Sequence, residues 1–288
     1  MRYSSLSEFL NKGSQGIKGP VAIILCDDEV EIDTTVRHHI DLGFKKIICV
    51  ASEEIAIPST VLDKVDVIVF DMSREAALEN VMNPLIGALK TQWLYYCYNA
   101  EYLFFPFCEH RNVLELMLFN LEERREALLA YVVDLYAEDL NRHPNAVSLD
   151  TAMLDKTGYY GLARPDPANH NHPKERQLDF YGGLRWRFEE HIPASRRRID
   201  RIPLFLAKEG LKIRKDHTLS DEEMNTYACP WHNNITAAIA SFRTAKALKR
   251  NPGSTYDIHT FKWHNSVRFT WHSQQLLDLG LMEPGQWF

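Results

Sequence analysis

No stretch of this chain approaches the roughly 18 consecutive apolar residues that a membrane-spanning helix needs. The opening MRYSSLSEFLNKGSQG has no uninterrupted apolar core of the kind a secretory leader carries. Phosphate-cradling glycine loops are missing as well: neither G-x-G-x-x-G nor G-x-x-x-x-G-K-[ST] occurs, which removes dinucleotide and P-loop readings. There is no excess of positive charge. Acidic and basic residues are interspersed and sum to −6, so nucleic acid and anionic membrane find no global footprint. The one basic run, RRRIDR from Arg196 to Arg201, is short and reads as a solvated turn. Cysteine is scarce and odd in number. Three of the five, Cys26, Cys49 and Cys97, sit inside apolar runs and should behave as small buried hydrophobes, so a reducing, cytoplasmic setting is expected.

The 288 residues, 45% of them hydrophobic, suffice for one substantial core or two modest ones. VAIILC, KKIICVA and DVIVFDM are apolar throughout, as strands covered on both faces are. Between them lie segments with apolar residues at helical spacing. Val30, Ile32, Val36 and Ile40 precede Gly43. Ala77, Leu78, Val81, Leu85 and Leu89 follow Ser73, a plausible helix cap. Asn112 and Glu115 have the spacing of a capping box. Further on, ALLAYVVDLY and RIPLFLA read as strands and NITAAIASFRTAKALKR as a helix. The Pro-, Asn- and His-rich 137–179 reads as a long loop.

Alternation of this kind specifies an α/β fold with an open, largely parallel sheet flanked by helices. Such sheets bind ligands beyond the carboxyl ends of their strands. That rule singles out Asp27, Asp28 and Glu29, then Ser52, Glu53 and Glu54, then Asn99 to Glu101. Carboxylates there can accept hydrogen bonds from a nucleoside or hold a hard divalent cation against a diphosphate. Gly182 and Gly183 permit close backbone approach. Arg185 and Arg187, read as alternating strand residues, would point the same way and meet a diphosphate or pair with Asp179 or Glu189. HNH at 170–172 and CPWH at 229–232 lack a second half at metal-site spacing and read as loop and local packing.

Taken in order, these pieces resemble the family 2-like glycosyltransferases of the GT-A fold. Asp28-Glu29 fall on the family's N-E pair and His39 on its helix histidine. Trp93 to Leu103 is similar to W-x-x-x-x-D-A-D-E-F-L, YGGLRWRF to G-G-x-R-x-R, DRIPLF to K-x-P-L and ASFR to L-H-F-K. The resemblance implies a GT-A, Rossmann-like sheet with a mixed C-terminal part. Residues 1–136 would form the nucleotide-sugar-binding half and 137–288 the acceptor-side half of one domain. It implies a hexosyl transfer in polysaccharide biosynthesis, from a nucleotide-sugar to a saccharide or lipid-linked acceptor, with inversion. In that scheme Asp28, Glu29, Glu53, Asn99, Glu101, Gly182, Gly183 and Arg185 bind the donor, and Asp179 or Glu189 is the base. Glu101 and His217 stand near a manganese or magnesium ion. The sequence departs from the family at Tyr98 and Ala100, which replace the two motif aspartates; with one residue deleted, Asn99-Ala100-Glu101 overlays D-x-D instead. Ser241 and Arg243 replace the histidine and lysine of L-H-F-K. The alternative is a degenerate GT-A domain kept as a binding or scaffold module.

Overall fold

The computed structural model describes residues 1–287 and is α/β, with a large, mixed, mostly parallel central sheet flanked by helices. The strands are β1 (Arg2–Tyr3), β2 (Val21–Leu25), β3 (Lys46–Ala51), β4 (Val65–Val69), β5 (Trp93–Tyr98), β6 (Glu101–Phe104), β7 (Ala127–Ala137), β8 (Ala152–Asp155), β9 (Tyr160–Asp166), β10 (His172–Tyr181), β11 (Asp200–Leu206), β12 (Ala237–Ser241) and β13 (Ser266–Arg268). The chain forms two compact units. One comprises Met1–Tyr102, Cys108–Leu129 and Ile202–Asn225; the other comprises Leu103–Phe107, Ala130–Arg201 and the residues from Thr226 onward. The halves drawn at 136/137 meet near the end of β7, whereas each unit draws on both.

In the first unit the strand order is β1-β4-β3-β2-β5-β11. The contacts from β1 through β5 are parallel, and β11 runs antiparallel to β5 with Leu204 opposite Tyr95. All five residues of β2 are buried, as a central strand covered on both faces requires. The helix Ile32–Asp41 buries Ile32, Thr35, Val36 and His39 and stops at Gly43, whose φ of 96° few other residues tolerate. The helix Val113–Glu122 has the expected capping box, Asn112 with Glu115. Ser73 does not cap the helix Ala77–Ala88. Its N–H and hydroxyl both turn back to Asp71 Oδ1, a local competition typical of serine.

In the second unit β12 lies parallel to β7, with Ser241 opposite Asp134, and β8 pairs antiparallel with both β7 and β13. Two expectations are corrected here. AAIAS is a fully buried strand rather than the start of a helix; burial on both faces outweighs the helix propensity of alanine, and the helix begins only at Arg243. The stretch expected to be a long loop contains β8 and the hairpin β9–β10, in which Tyr160 faces Tyr181 and Leu162 faces Asp179. Among the described residues, no helix is long and apolar enough to cross a membrane.

Candidate functional site

Counting only the α/β strands of the first unit, β4-β3-β2-β5 is the order 3-2-1-4. The connections therefore reverse direction between β2 and β5, the place where open α/β sheets leave a ligand crevice. The chain leaves β2 at Cys26 into Asp27, Asp28 and Glu29, and leaves β5 at Tyr98 into Asn99. Buried Asn99 ties these two ends together. Its Oδ1 accepts from the Asp27 N–H at 2.9 Å, and its Nδ2 donates to Asp28 Oδ1 at 2.6 Å and to the Val30 carbonyl at 2.8 Å. Asp28 Oδ1 also accepts from the Val30 N–H at 3.0 Å. Glu29 is exposed and its Oε1 accepts from the Ala56 N–H at 2.9 Å, while Glu53 is exposed on the loop after β3. The switch point thus carries a rim of carboxylates on a backbone fixed by an amide.

The turn between β5 and β6 is pinned from both sides. Ala100, held at a φ of 60°, donates its N–H to Thr35 Oγ1 at 2.9 Å, and Tyr98 donates its N–H to Glu101 Oε2 at 2.8 Å. Glu101 has no exposure to solvent. Its carboxylate therefore serves the turn, since a buried acceptor must find its donors inside the protein. The Asn99 carboxamide is occupied on both its oxygen and its nitrogen, Glu101 is enclosed, and among the described residues no group of three or more His, Cys, Asp or Glu is placed to hold a metal. His217, on a loop at φ 65°, instead has Nδ1 2.9 Å from the Tyr96 hydroxyl, its ring stacked on the Tyr96 ring.

In the second unit the G-G-x-R-x-R stretch is not a strand. Gly182 and Gly183 take φ of 153° and 62°, which ends β10 and starts the helical turn Leu184–Arg187. A Cβ on Gly183 would sit 3.0 Å from Asp134 Oδ2, so the glycine lets the turn close on that carboxylate. The two arginines then separate. Arg185 faces Asp134 of β7, its N–H donating to Oδ2 at 3.3 Å and its Nε lying 3.6 Å from Oδ1. Arg187 faces Asp155 of β8, its Nη1 3.1 Å from both carboxylate oxygens, with its Nη2 donating to the Phe261 carbonyl at 2.7 Å. Arg187 also lies 4.5 Å over the Trp263 ring. The strand expectation fails because two positive-φ residues cannot continue a pleated strand.

Both acids expected as bases have arginine partners. Asp179 is buried; its Oδ1 accepts from Arg164 Nε at 2.6 Å and lies 3.2 Å from Arg198 Nε. Asp200 completes the quartet, facing Arg164 at 2.6 Å, facing Arg198, and accepting the Phe180 N–H at 2.8 Å. Glu189 is exposed and pairs with Arg197 at 2.9 Å. The sequence reading passed over Asp134 and Asp155, yet a signal existed for the first. Asp134 is the only charge in ALLAYVVDLY, and a lone carboxylate in an apolar run must be bought a partner when it folds inward. Burial pushes the Asp134 carboxyl up, against the pull of Arg185 and Thr244. Asp155 accepts from the Tyr136 hydroxyl at 2.5 Å and from Trp263 Nε1 at 2.7 Å. No protein-family model matches the chain, and no curated protein matches it.

Proposed function

We propose that the chain is a glycosyltransferase of GT-A type. It would take a nucleotide-sugar at the carboxyl ends of β2 and β5 and pass the sugar, with inversion, to a hydroxyl of a saccharide or lipid-linked acceptor. The observation that carries this reading is the topological switch point between β2 and β5, rimmed by Asp27, Asp28 and Glu29. Carboxylates there accept hydrogen bonds from the base and ribose of a nucleoside. In the transfer, the acceptor oxygen attacks the anomeric carbon, the bond from that carbon to the diphosphate breaks, and a base takes the hydroxyl proton. Of the two acids considered, Glu189 is the one open to solvent. Asn99 and Glu101 hydrogen-bond at the turn, and whether the transfer uses a divalent cation is read from the manganese, magnesium and EDTA arms of the test below.

That hydrogen bonding also favours a second reading, a GT-A-like domain that binds a nucleotide-sugar without turning it over. Both are tested with UDP-, GDP-, dTDP- and CDP-sugars, each with manganese, magnesium or EDTA, reading melting temperature and release of nucleoside diphosphate. The transferase reading expects one donor to raise the melting temperature and be hydrolysed, with the exposed Glu53→Ala weakening the shift without unfolding the protein. Stabilisation without turnover selects the binding module. If no donor does either, both readings fall.

A further inference from the structure

We infer that Trp186, Tyr160 and Tyr181 form an aromatic platform for the pyranose ring of a neutral saccharide. The argument starts from what the G-G-x-R-x-R turn holds in place. Arg185 and Arg187 are both drawn inward, onto Asp134 and Asp155, whose side chains are almost wholly buried. The residue between them, Trp186, is left 43% exposed. A helical turn fixed on either side by an ion pair presents the intervening side chain at a set angle, so the indole is displayed with little conformational freedom left to lose on binding. Two positive-φ glycines and two buried aspartates are an expensive way to hold an exposed tryptophan.

The surroundings extend the surface. Trp186 packs on the backbone of Gly158, where an added Cβ would lie 3.3 Å from its ring, and Gly182 closes on the Gly158 carbonyl. Two residues beyond Gly158, Tyr160 is 44% exposed and stacked on Tyr181 across the β9–β10 hairpin, ring centroids 5.4 Å apart. Leu162, 54% exposed, shares the hairpin face with Tyr160. The arginines of the hairpin and of the turn are all paired. Arg164 and Arg198 meet Asp179 and Asp200, and Arg185 and Arg187 meet their own aspartates. These guanidinium groups are already matched by carboxylates, so the platform suits a neutral ligand over a phosphate. A pyranose suits such a surface: its C–H face lies flat on an aromatic ring, and its hydroxyls can exchange hydrogen bonds with tyrosine hydroxyls.

The experiment uses the full-length protein with neutral hexaoses of glucose (β-1,4 and α-1,4), N-acetylglucosamine and mannose as probes, read by isothermal calorimetry alongside the donor panel. At least one hexaose is expected to bind. Trp186→Ala and Tyr160→Ala should each weaken it tenfold or more with melting temperature unchanged, while Trp186→Phe retains most of the affinity. No binding to any hexaose, or binding indifferent to both alanine variants, overturns the platform. UDP binding lost in Trp186→Ala would also overturn it, showing a nucleobase site instead. Hexaose binding through Trp186 with no donor bound or hydrolysed leaves the platform standing and removes the transferase reading. A hydrolysed donor with no Trp186-dependent saccharide binding overturns the platform and leaves the transferase reading standing.

Discussion

Acid should destabilise this protein through one histidine. His39, on the helix Ile32–Asp41, is fully buried and stacked on Tyr95 at 5.1 Å, with Phe44 and His38 also against it. Its Nδ1 lies 2.7 Å from the Thr35 carbonyl, so Nδ1 carries the proton and donates, and Nε2 faces the Cys97 sulfur at 3.9 Å. Burial is the main cause that pushes the imidazole down, to about 3, with His38 adding to it and the Thr35 carbonyl and Glu101 opposing it. The unfolded chain takes up this proton near the ordinary value of about 6.5. The folded state holds fewer protons between those two values, so the stability is complete above about pH 6.5 and falls as the pH drops toward 3. At pH 5 the loss is about 1.5 units times 1.36, on the order of 2 kcal/mol.

The variant that isolates it is His39→Phe, which keeps a ring against Tyr95 and cannot ionise. Urea unfolding of both proteins at pH 7.5 and 5.0 should show the wild type losing about 2 kcal/mol more than the variant on acidification. Should His39→Phe fold poorly, the imidazole resonances of the wild type give an independent reading. Equal acid losses in the two proteins, or a His39 resonance titrating near 6.5 in the folded state, would refute the reasoning.

Three further outcomes follow from the sites described. Gly183→Ala forces a Cβ to 3.0 Å from Asp134 Oδ2 at a φ of 62°, and should cost roughly 1–3 kcal/mol in chemical denaturation. Arg187→Met leaves Asp155 buried without its guanidinium and should cost about 3–5 kcal/mol, whereas Arg197→Met, removing an exposed pair with Glu189, should cost less than about 1 kcal/mol. Asn99→Asp sets a second carboxylate 2.6 Å from Asp28 Oδ1 and withdraws the donor to Val30, so it should lower the melting temperature at pH 7.5 more than Asn99→Ala does. Adding Asp28→Asn to Asn99→Asp should recover much of that loss.

The parallel strands were legible because continuous apolar runs bounded by polar turns have few other meanings, and the Asn112 capping box because its spacing is local. The strand Ala237–Ser241 was not legible. The short run Ala-Ala-Ile-Ala-Ser satisfies a helix or a buried strand equally, and only the pairing with β7, about a hundred residues away, decides between them. The arginine partners were hidden for the same reason. Arg185 lies close in sequence to Asp179 and Glu189, yet it meets Asp134, some fifty residues earlier, because the paired glycines redirect the chain. Charge pairing cannot be read from proximity where the backbone turns through positive φ.

Asn99 shows what an amide does at the turn after β5. Aspartates at the turn after β5 would face Asp28 across the switch point, and like charges at hydrogen-bond distance need a cation or a shared proton between them. An amide removes that need. It supplies both the acceptor for the Asp27 N–H and the donor for Asp28, so one neutral side chain closes the circuit an ion would otherwise have to close. Glu101, enclosed and bound to the Tyr98 N–H, completes the same arrangement from within. The acidic rim of β2 and the amide of β5 therefore specify each other. Any ligand chemistry at this crevice has to work with carboxylates already held by the protein's own donors, which is why the donor panel with and without metal, rather than the motif, decides between transfer and binding.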